Sequence, residues 1–328
     1  MIDHRERLER TLAGIKPDRI PCALWQHFPV DDQNPYPLAK AILAFQDRFD
    51  FDFVKITPSS SFCLKDWGVI DEWQGHVEGT RTYLHRPIQS PDDWYQLNPL
   101  DPTQGSLGQQ LECVAYLQKT LPKNTPFIQT IYNPLSQVNN LLGRDLVAQH
   151  IRRYPEALKK GLETIQETTI RFVEEVKKLG VAGIFLAIQH ASHQILSEQE
   201  YREFGIPYDL ALIEAVQECW FNVAHIHGDG IMFDLFADYP IQVLNWHDRE
   251  TEPSLKAGLG LINGCVCGGI NRIESLVLGT PDDIRKEAVQ AFEQTEGKRF
   301  ILGTGCVTPM NTPYGNIRAF RDIAEELV

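Results

Sequence analysis

The chain has 328 residues, 43% of them hydrophobic and 23% charged, which is ordinary globular composition for one large domain or two smaller ones. Its 44 acidic and 31 basic residues give a net charge of −13, which argues against a Lys/Arg surface for tracking nucleic acid or binding anionic membrane. No apolar run reaches the length of a membrane span, residues 1–19 carry charge where a secretory signal is apolar, and seven cysteines are an odd number for a disulfide framework. The expectation is a cytoplasmic protein acting on a small molecule.

In chain order, Asp3 is a helix cap for 3–13, with Gly14 as terminator. Short apolar runs follow at Ile20–Trp25, Phe53–Thr57, Phe127–Tyr132, Gly183–Gln189, Asn222–His227, Gln242–Trp246, Gly264–Gly269 and Arg299–Thr304. They do not alternate, as expected of strands buried on both faces of a parallel sheet. Between them, Leu158, Leu162, Ile165, Phe172, Val176 and Leu179 recur at helical spacing over 155–179, and Gly180 supplies the stop. A second helix spans 281–293, with Thr280 as cap, Pro281 at its first position and Asp283 completing a capping box. Eight strands without an intervening linker favour an α/β protein with a closed (β/α)8 TIM barrel in one domain, 1–328, over an open doubly wound sheet. The stretch 58–126 reads as an insertion, partly irregular and with short helices, that covers one end. Gly303-Thr304-Gly305 lacks the spacing and lysine of a phosphate loop, and Gly258, Gly260 and Gly264 do not follow a strand in the dinucleotide-binding manner.

A barrel works at the C-terminal ends of its strands, so the reactive side chains there matter most. His225 and His227 lie two apart at the end of the fifth run and share a face. The eighth run ends in Gly305-Cys306, the seventh carries Cys265 and Cys267, and the sixth ends in Asn245-Trp246-His247-Asp248. Imidazole and thiolate are the ligands zinc prefers, which makes His225, His227 and Cys306 a candidate zinc site with Cys267 or Asp248 as a fourth or supporting group. Asp248 and His190 are candidates for orienting ligands or relaying a proton, and His27, Lys55, Gln189, His193 and Asn245 are candidate substrate contacts. The competing reading is that the histidines are buried and hydrogen-bonded and the cysteines are small core residues.

Several segments together resemble the uroporphyrinogen decarboxylase family in its broad sense. They are Arg5-Glu6-Arg7 through Leu12-Ala13-Gly14, Pro17-Asp18-Arg19-Ile20-Pro21, Leu196-Ser197 with Tyr201, and Phe204-Gly205-Ile206-Pro207-Tyr208. The C-terminal half adds Gly268-Gly269-Ile270, Leu278-Gly279-Thr280-Pro281, Phe300 through Cys306, and Thr312-Pro313 with Asn316. The family fold is a (β/α)8 barrel. Its true decarboxylases need no cofactor, and they use arginines after the first strand and an aspartate after the second. Here those strands are followed by Trp25-Gln26-His27-Phe28-Pro29 and Thr57-Pro58-Ser59-Ser60-Ser61, so that activity is disfavoured. The sequence is closer to the branch of corrinoid-dependent methyltransferases, including the coenzyme M enzymes, which carry zinc on a His-x-Cys pair and a later Cys. His225 and Cys306 match that pattern, while His227 stands where the branch has cysteine. The resemblance implies zinc, a corrinoid methyl donor carried by a partner protein, and a thiol or similar acceptor; a barrel end or edge can also support a homodimer. Two other readings stand beside it. One is a decarboxylase in which Lys55, Arg249 and Arg272 replace the missing arginines, and the other is a non-catalytic corrinoid- or tetrapyrrole-binding protein.

Overall fold

A computed structural model describes residues 2–328. Helix α1 (His4–Leu12) starts where the Asp3 carboxylate accepts the Glu6 N–H at 2.8 Å. Helix α2 (Pro35–Phe49) leads into strand β1 (Val54–Ile56). After a β2 (Ile70–Glu72)–β3 (Thr82–His85) hairpin come α3 (Gly105–Thr120), β4 (Phe127–Tyr132), α4 (Pro134–Leu142), α5 (Arg144–Arg153) and α6 (Pro155–Lys178). The chain continues through β5 (Gly183–Ile188), α7 (Glu198–Phe204), α8 (Ile206–Ala215), β6 (Val223–Ile226), β7 (Val243–Trp246) and α9 (Leu255–Leu261). It ends with β8 (Cys265–Ile270), α10 (Pro281–Thr295), β9 (Phe300–Thr304) and α11 (Tyr314–Ile323). Among the described residues no helix is long and apolar enough to cross a membrane.

Seven strands form one parallel sheet in the order β1-β4-β5-β6-β7-β8-β9. Every residue of β4, β5 and β8 is buried, which is why these runs show no alternation. The three expected helices form as α1, α6 and α10. The capping box of α10 is present, with Asp283 Oδ2 accepting the Thr280 N–H at 2.9 Å.

Two expectations need correction. Ile20–Trp25 does not form a strand. It makes one parallel bridge, Cys22 to Leu302 beside β9, and on its other side Cys22 meets Asp52 alone, its carbonyl accepting the Asp52 N–H at 2.9 Å and its N–H donating to the Asp52 carboxylate at 2.7 Å. Pro21 has no N–H to extend that ladder. The stretch 58–126 is also more regular than expected. It contains the β2–β3 hairpin and the 16-residue α3, whose Cys113, Val114 and Leu117 pack with Leu38, Ala39 and Ile42 of α2 and with Val54 and Ile56 of β1.

The segment between the hairpin strands runs over the C-terminal end of the sheet as a strap. The Val77 carbonyl accepts the Met310 N–H at 2.8 Å, and Arg81 donates to the Pro29 carbonyl and to Asp32, both at 2.6 Å. Gly79, at φ +76°, lies flush on His27: a Cβ there would sit 2.3 Å from the His27 Cβ. Only glycine combines that backbone conformation with that approach.

Candidate metal centre

Strand register places the site. Ala187, His225, Asn245, Cys267 and Ile301 are successive partners across β5, β6, β7, β8 and β9 and form one layer of the sheet. His227 and His247 follow one residue beyond the ends of β6 and β7, and Cys306 follows two beyond β9. Gly305 lets the β9 end approach β7: a Cβ there would lie 2.5 Å from the His247 Cα. The thiol of Cys306 thus reaches the three histidines. One ligand atom from each of His225, His227, His247 and Cys306 lies within 4.8 Å of the others.

Hydrogen bonds set the histidine tautomers. Asn245 Nδ2 donates to the carbonyls of Cys267 (2.8 Å) and Thr304 (3.0 Å), leaving its Oδ1 to accept from His225 Nδ1 at 2.7 Å. His247 Nδ1 faces Glu250 Oε2 at 3.2 Å. With both Nδ1 atoms engaged as donors, both Nε2 atoms present lone pairs to His227 Nδ1, at 3.3 and 3.2 Å, and Cys306 Sγ lies 3.6 Å from the same atom. A tetrahedron with zinc–nitrogen and zinc–sulfur bonds of about 2.05 and 2.3 Å has N···N and N···S edges of about 3.3 and 3.6 Å. The edges at His227 have those lengths. One proton on His227 Nδ1 cannot satisfy three facing lone pairs, so the donor set fits a cation.

The electrostatics agree with that fit. Burial alone would raise the Cys306 thiol, but hydrogen bonds with His225, His227 and His247 hold it well below the usual thiol range. Burial disfavours charge on His247 too, yet Cys306 and Glu250 carry it to about 9, whereas burial lowers His225. These shifts favour a thiolate at Cys306 paired with a proton on His247 when no metal is bound, so that Nε2 of His247 offers its lone pair only once a metal ion takes the place of that proton.

The other sequence candidates divide into three groups. His27 and His190 are buried near the cluster, burial pulls them down to about 3 and about 4, and the Nδ1 of each has no partner. Lys55 is 7% exposed, with Nζ 3.2 Å from Thr57 Oγ1 and 4.5 Å from the Phe185 ring centre, and burial lowers it to about 7. Phe185 in turn stacks on His225 at 5.5 Å between ring centres, so Lys55 lies below the metal candidates. Asn245 orients His225, and the Gln189 N–H is donated to Ser136 Oγ at 3.0 Å.

Three candidates are not brought to the cluster. Cys267 is buried beside Gly303, outside the four converging groups. The Asp248 carboxylate turns to the Gly269 N–H at 3.1 Å, and burial lifts it to about 7. His193 points to solvent with its side chain 54% exposed. The arginines offered for a decarboxylase are engaged elsewhere: Arg249 donates to the carbonyls of Gly269 and Glu287, and Arg272 pairs with Glu78 and Glu250. His247 carried no role in the sequence reading. Its signal was there, since it closes a buried strand as His227 does, one sheet position over.

The chain matches the Uroporphyrinogen decarboxylase (URO-D) family over residues 3–327 and belongs to it. Within that family its relatives are methyltransferases. It is 20% identical over 346 aligned residues to the methylcobamide:CoM methyltransferase MtbA of Methanosarcina acetivorans, covering 98% of this chain and 97% of the relative. It is 22% identical over 240 residues to the methylated-thiol–coenzyme M methyltransferase of Methanosarcina mazei, covering 70% and 61%. Among solved structures, a methyltransferase from Methanosarcina mazei superposes with a TM-score of 0.87 over 99% of both chains at 19% identity. A B12-independent methionine synthase from Shewanella sp. gives 0.61 over 95% and 94% at 15% identity.

Proposed function

We propose that the chain is a zinc-dependent methyltransferase that passes a methyl group from a corrinoid, carried by a partner protein, to a thiol acceptor. The observation that carries this reading is the convergence of ligand atoms from His225, His227, His247 and Cys306 within 4.8 Å, with the three edges at His227 of the length a tetrahedral zinc site requires. The relatives named for methylcobamide and coenzyme M supply the donor and acceptor classes. The fold is read as a barrel of eight staves, β1 and β4 through β9 with the extended segment at Cys22 as the eighth beside β9.

Zinc held there, with one of the three histidines giving way to leave an open position, would acidify an acceptor thiol and so supply the nucleophile near neutral pH. The protein's own groups prepare that step. Asn245 and Glu250 each fix one histidine so that its Nε2 faces inward. His27 and His190, neutral and with one nitrogen unpartnered, are placed to contact the acceptor, and Lys55 lies below as the cation without a carboxylate partner. Three neutral imidazoles and one thiolate make the site one charge more positive than the His, Cys, Cys set of the branch it resembles. An acceptor thiol here is therefore more readily deprotonated and less electron-rich.

Protein purified without a histidine tag or chelator is expected to hold about one zinc per chain by elemental analysis. Cys306→Ala and His247→Ala should lose it while keeping the wild-type circular dichroism, and wild type should demethylate methylcobalamin in the presence of a thiol. Folded wild type without stoichiometric metal, or full metal retention in both variants, removes the assignment.

A further inference from the structure

The outward nitrogen of His247 begins a chain of contacts that ends in the strap. His247 Nδ1 faces Glu250 Oε2 at 3.2 Å, Glu250 Oε1 lies 3.3 Å from Arg272 Nε, and Arg272 Nη1 pairs with Glu78. Glu78 belongs to the strap, between Val77, whose carbonyl holds Met310, and Gly79, which lies on His27. The Arg272 side chain is 12% exposed and has no other carboxylate partner, so it is shared between a residue that holds His247 and a residue of the strap. His225, His247 and Cys306 are buried and His227 is partly exposed, at the same end of the sheet that the strap crosses. A movement of the strap would change access to that end.

We propose that Glu250 and Arg272 are positioning residues that tie His247 to the strap, so that metal binding holds the strap closed and opening the strap loosens the metal. This rests on the metal reading above and adds to it a regulation of access. The physical reason is linkage. Glu250 fixes the His247 tautomer that turns Nε2 inward, and Arg272 holds Glu250 on one side while Glu78 holds Arg272 from the strap side, so a change in the position of the strap shifts the guanidinium against Glu250. If the closed strap favours the metal-binding geometry, the metal must favour the closed strap by the same factor.

The test uses full-length protein stripped of metal and titrated with Zn(II) alone against a chromophoric chelator, with amide hydrogen exchange over 73–81 read with and without zinc. Glu250→Gln is expected to weaken zinc binding about 10–100-fold, the range for losing a group that orients a ligand. Glu78→Gln, which touches no candidate ligand, is expected to weaken it about fivefold or more, in the usual range of coupling between sites. Zinc should slow exchange in 73–81 of wild type, and that slowing should disappear in Glu250→Gln and in Arg272→Met. Wild type that binds zinc and loses it in Cys306→Ala, but shows no zinc-dependent protection of the strap or an unchanged affinity in Glu78→Gln, overturns the coupling alone. Wild type that binds no zinc overturns the metal reading and the coupling together. If Arg272→Met does not fold, Glu78→Gln and Glu250→Gln still decide between these outcomes.

Discussion

The two ends of the sheet each hold a buried cluster of ionisable groups assembled from distant segments, and they are built in opposite ways. At the N-terminal end, Asp52 is fully buried and every oxygen is matched. It accepts from Arg7 Nη1 (2.7 Å), Arg19 Nη1 and Nη2 (2.7 and 3.1 Å), the Cys22 N–H (2.7 Å) and the His4 ring (3.0 Å). Burial works against the Asp52 charge, yet His4, Arg19 and Arg7 hold its carboxyl well below the usual range. At the C-terminal end, the ligand atoms of three histidines and a cysteine converge on one another with only protons to share between them, two other imidazoles keep an unpartnered nitrogen, and a lysine has one hydroxyl for company. A saturated cluster secures chain segments; an unsaturated one is stable only because the surrounding fold holds it, and it is ready for a ligand. The lesson is that burial of charge does not mark a site. The shortage of partners does.

Three changes can break or sharpen that contrast. The largest expected effect is at the saturated end. Asp52→Asn leaves Arg7 and Arg19 buried without their shared charge and should cost about 3–5 kcal/mol in denaturant unfolding, with metal content unchanged. Because the Asp52 carboxyl is depressed in the fold, the wild type's advantage should be present above about pH 4 and lost as pH falls below it.

The opposite sign is expected at the other end. Lys55 is pulled down to about 7, so at neutral pH the fold bears the cost of a buried ammonium. Lys55→Met should stabilise by about 3 kcal/mol at pH 7 after the lost Thr57 hydrogen bond is counted. The sign follows from the depressed pKa: between pH 7 and about 10.4 the unfolded chain binds the proton and the folded chain does not, so wild-type stability rises with pH and the variant's lead shrinks. A lead that is unchanged at pH 10 places the effect in packing and not in charge.

The smallest expected effect is at an unpartnered ring. His190→Leu removes a buried nitrogen with no hydrogen bond and should raise stability by about 1 kcal/mol while lowering turnover with thiol and methylcobalamin. A loss of stability instead would show that His190 already has its partner in the resting fold, and the contrast between the two ends would weaken there.

Much of the fold was legible because local physics wrote it. The unalternating runs became β1 and β4 through β9, and Thr280-Pro281 with Asp283 capped α10 as their chemistry requires. Helix α3 escaped because Gly105 and Gly108 dilute its apolar stripe, and only the facing α2 shows which side is buried. Ile20–Trp25 has the composition of a strand, but ladder formation depends on neighbours, and Pro21 lies where an N–H was needed. In the site, the His225–His227 pair and Cys306 could be singled out because each stands at a strand end. The engagement of Asp248 by Gly269, the exposure of His193 and the separation of Cys267 depend on side-chain direction, which spacing along the chain does not encode.

What the sequence determined alone was the alternation of buried strands and amphipathic helices, the family, and the set of ligand-type residues at strand ends, because each follows from residue type and local period. What only the tertiary structure decided was which of those residues meet. Parallel register sets the layer from Ala187 to Ile301, a glycine at 305 lets two strand ends touch, and a strap from the hairpin brings Glu78 to Arg272. Those are contacts between segments up to 194 residues apart, and no local pattern can carry them, since their geometry exists only once the sheet has closed up its neighbours.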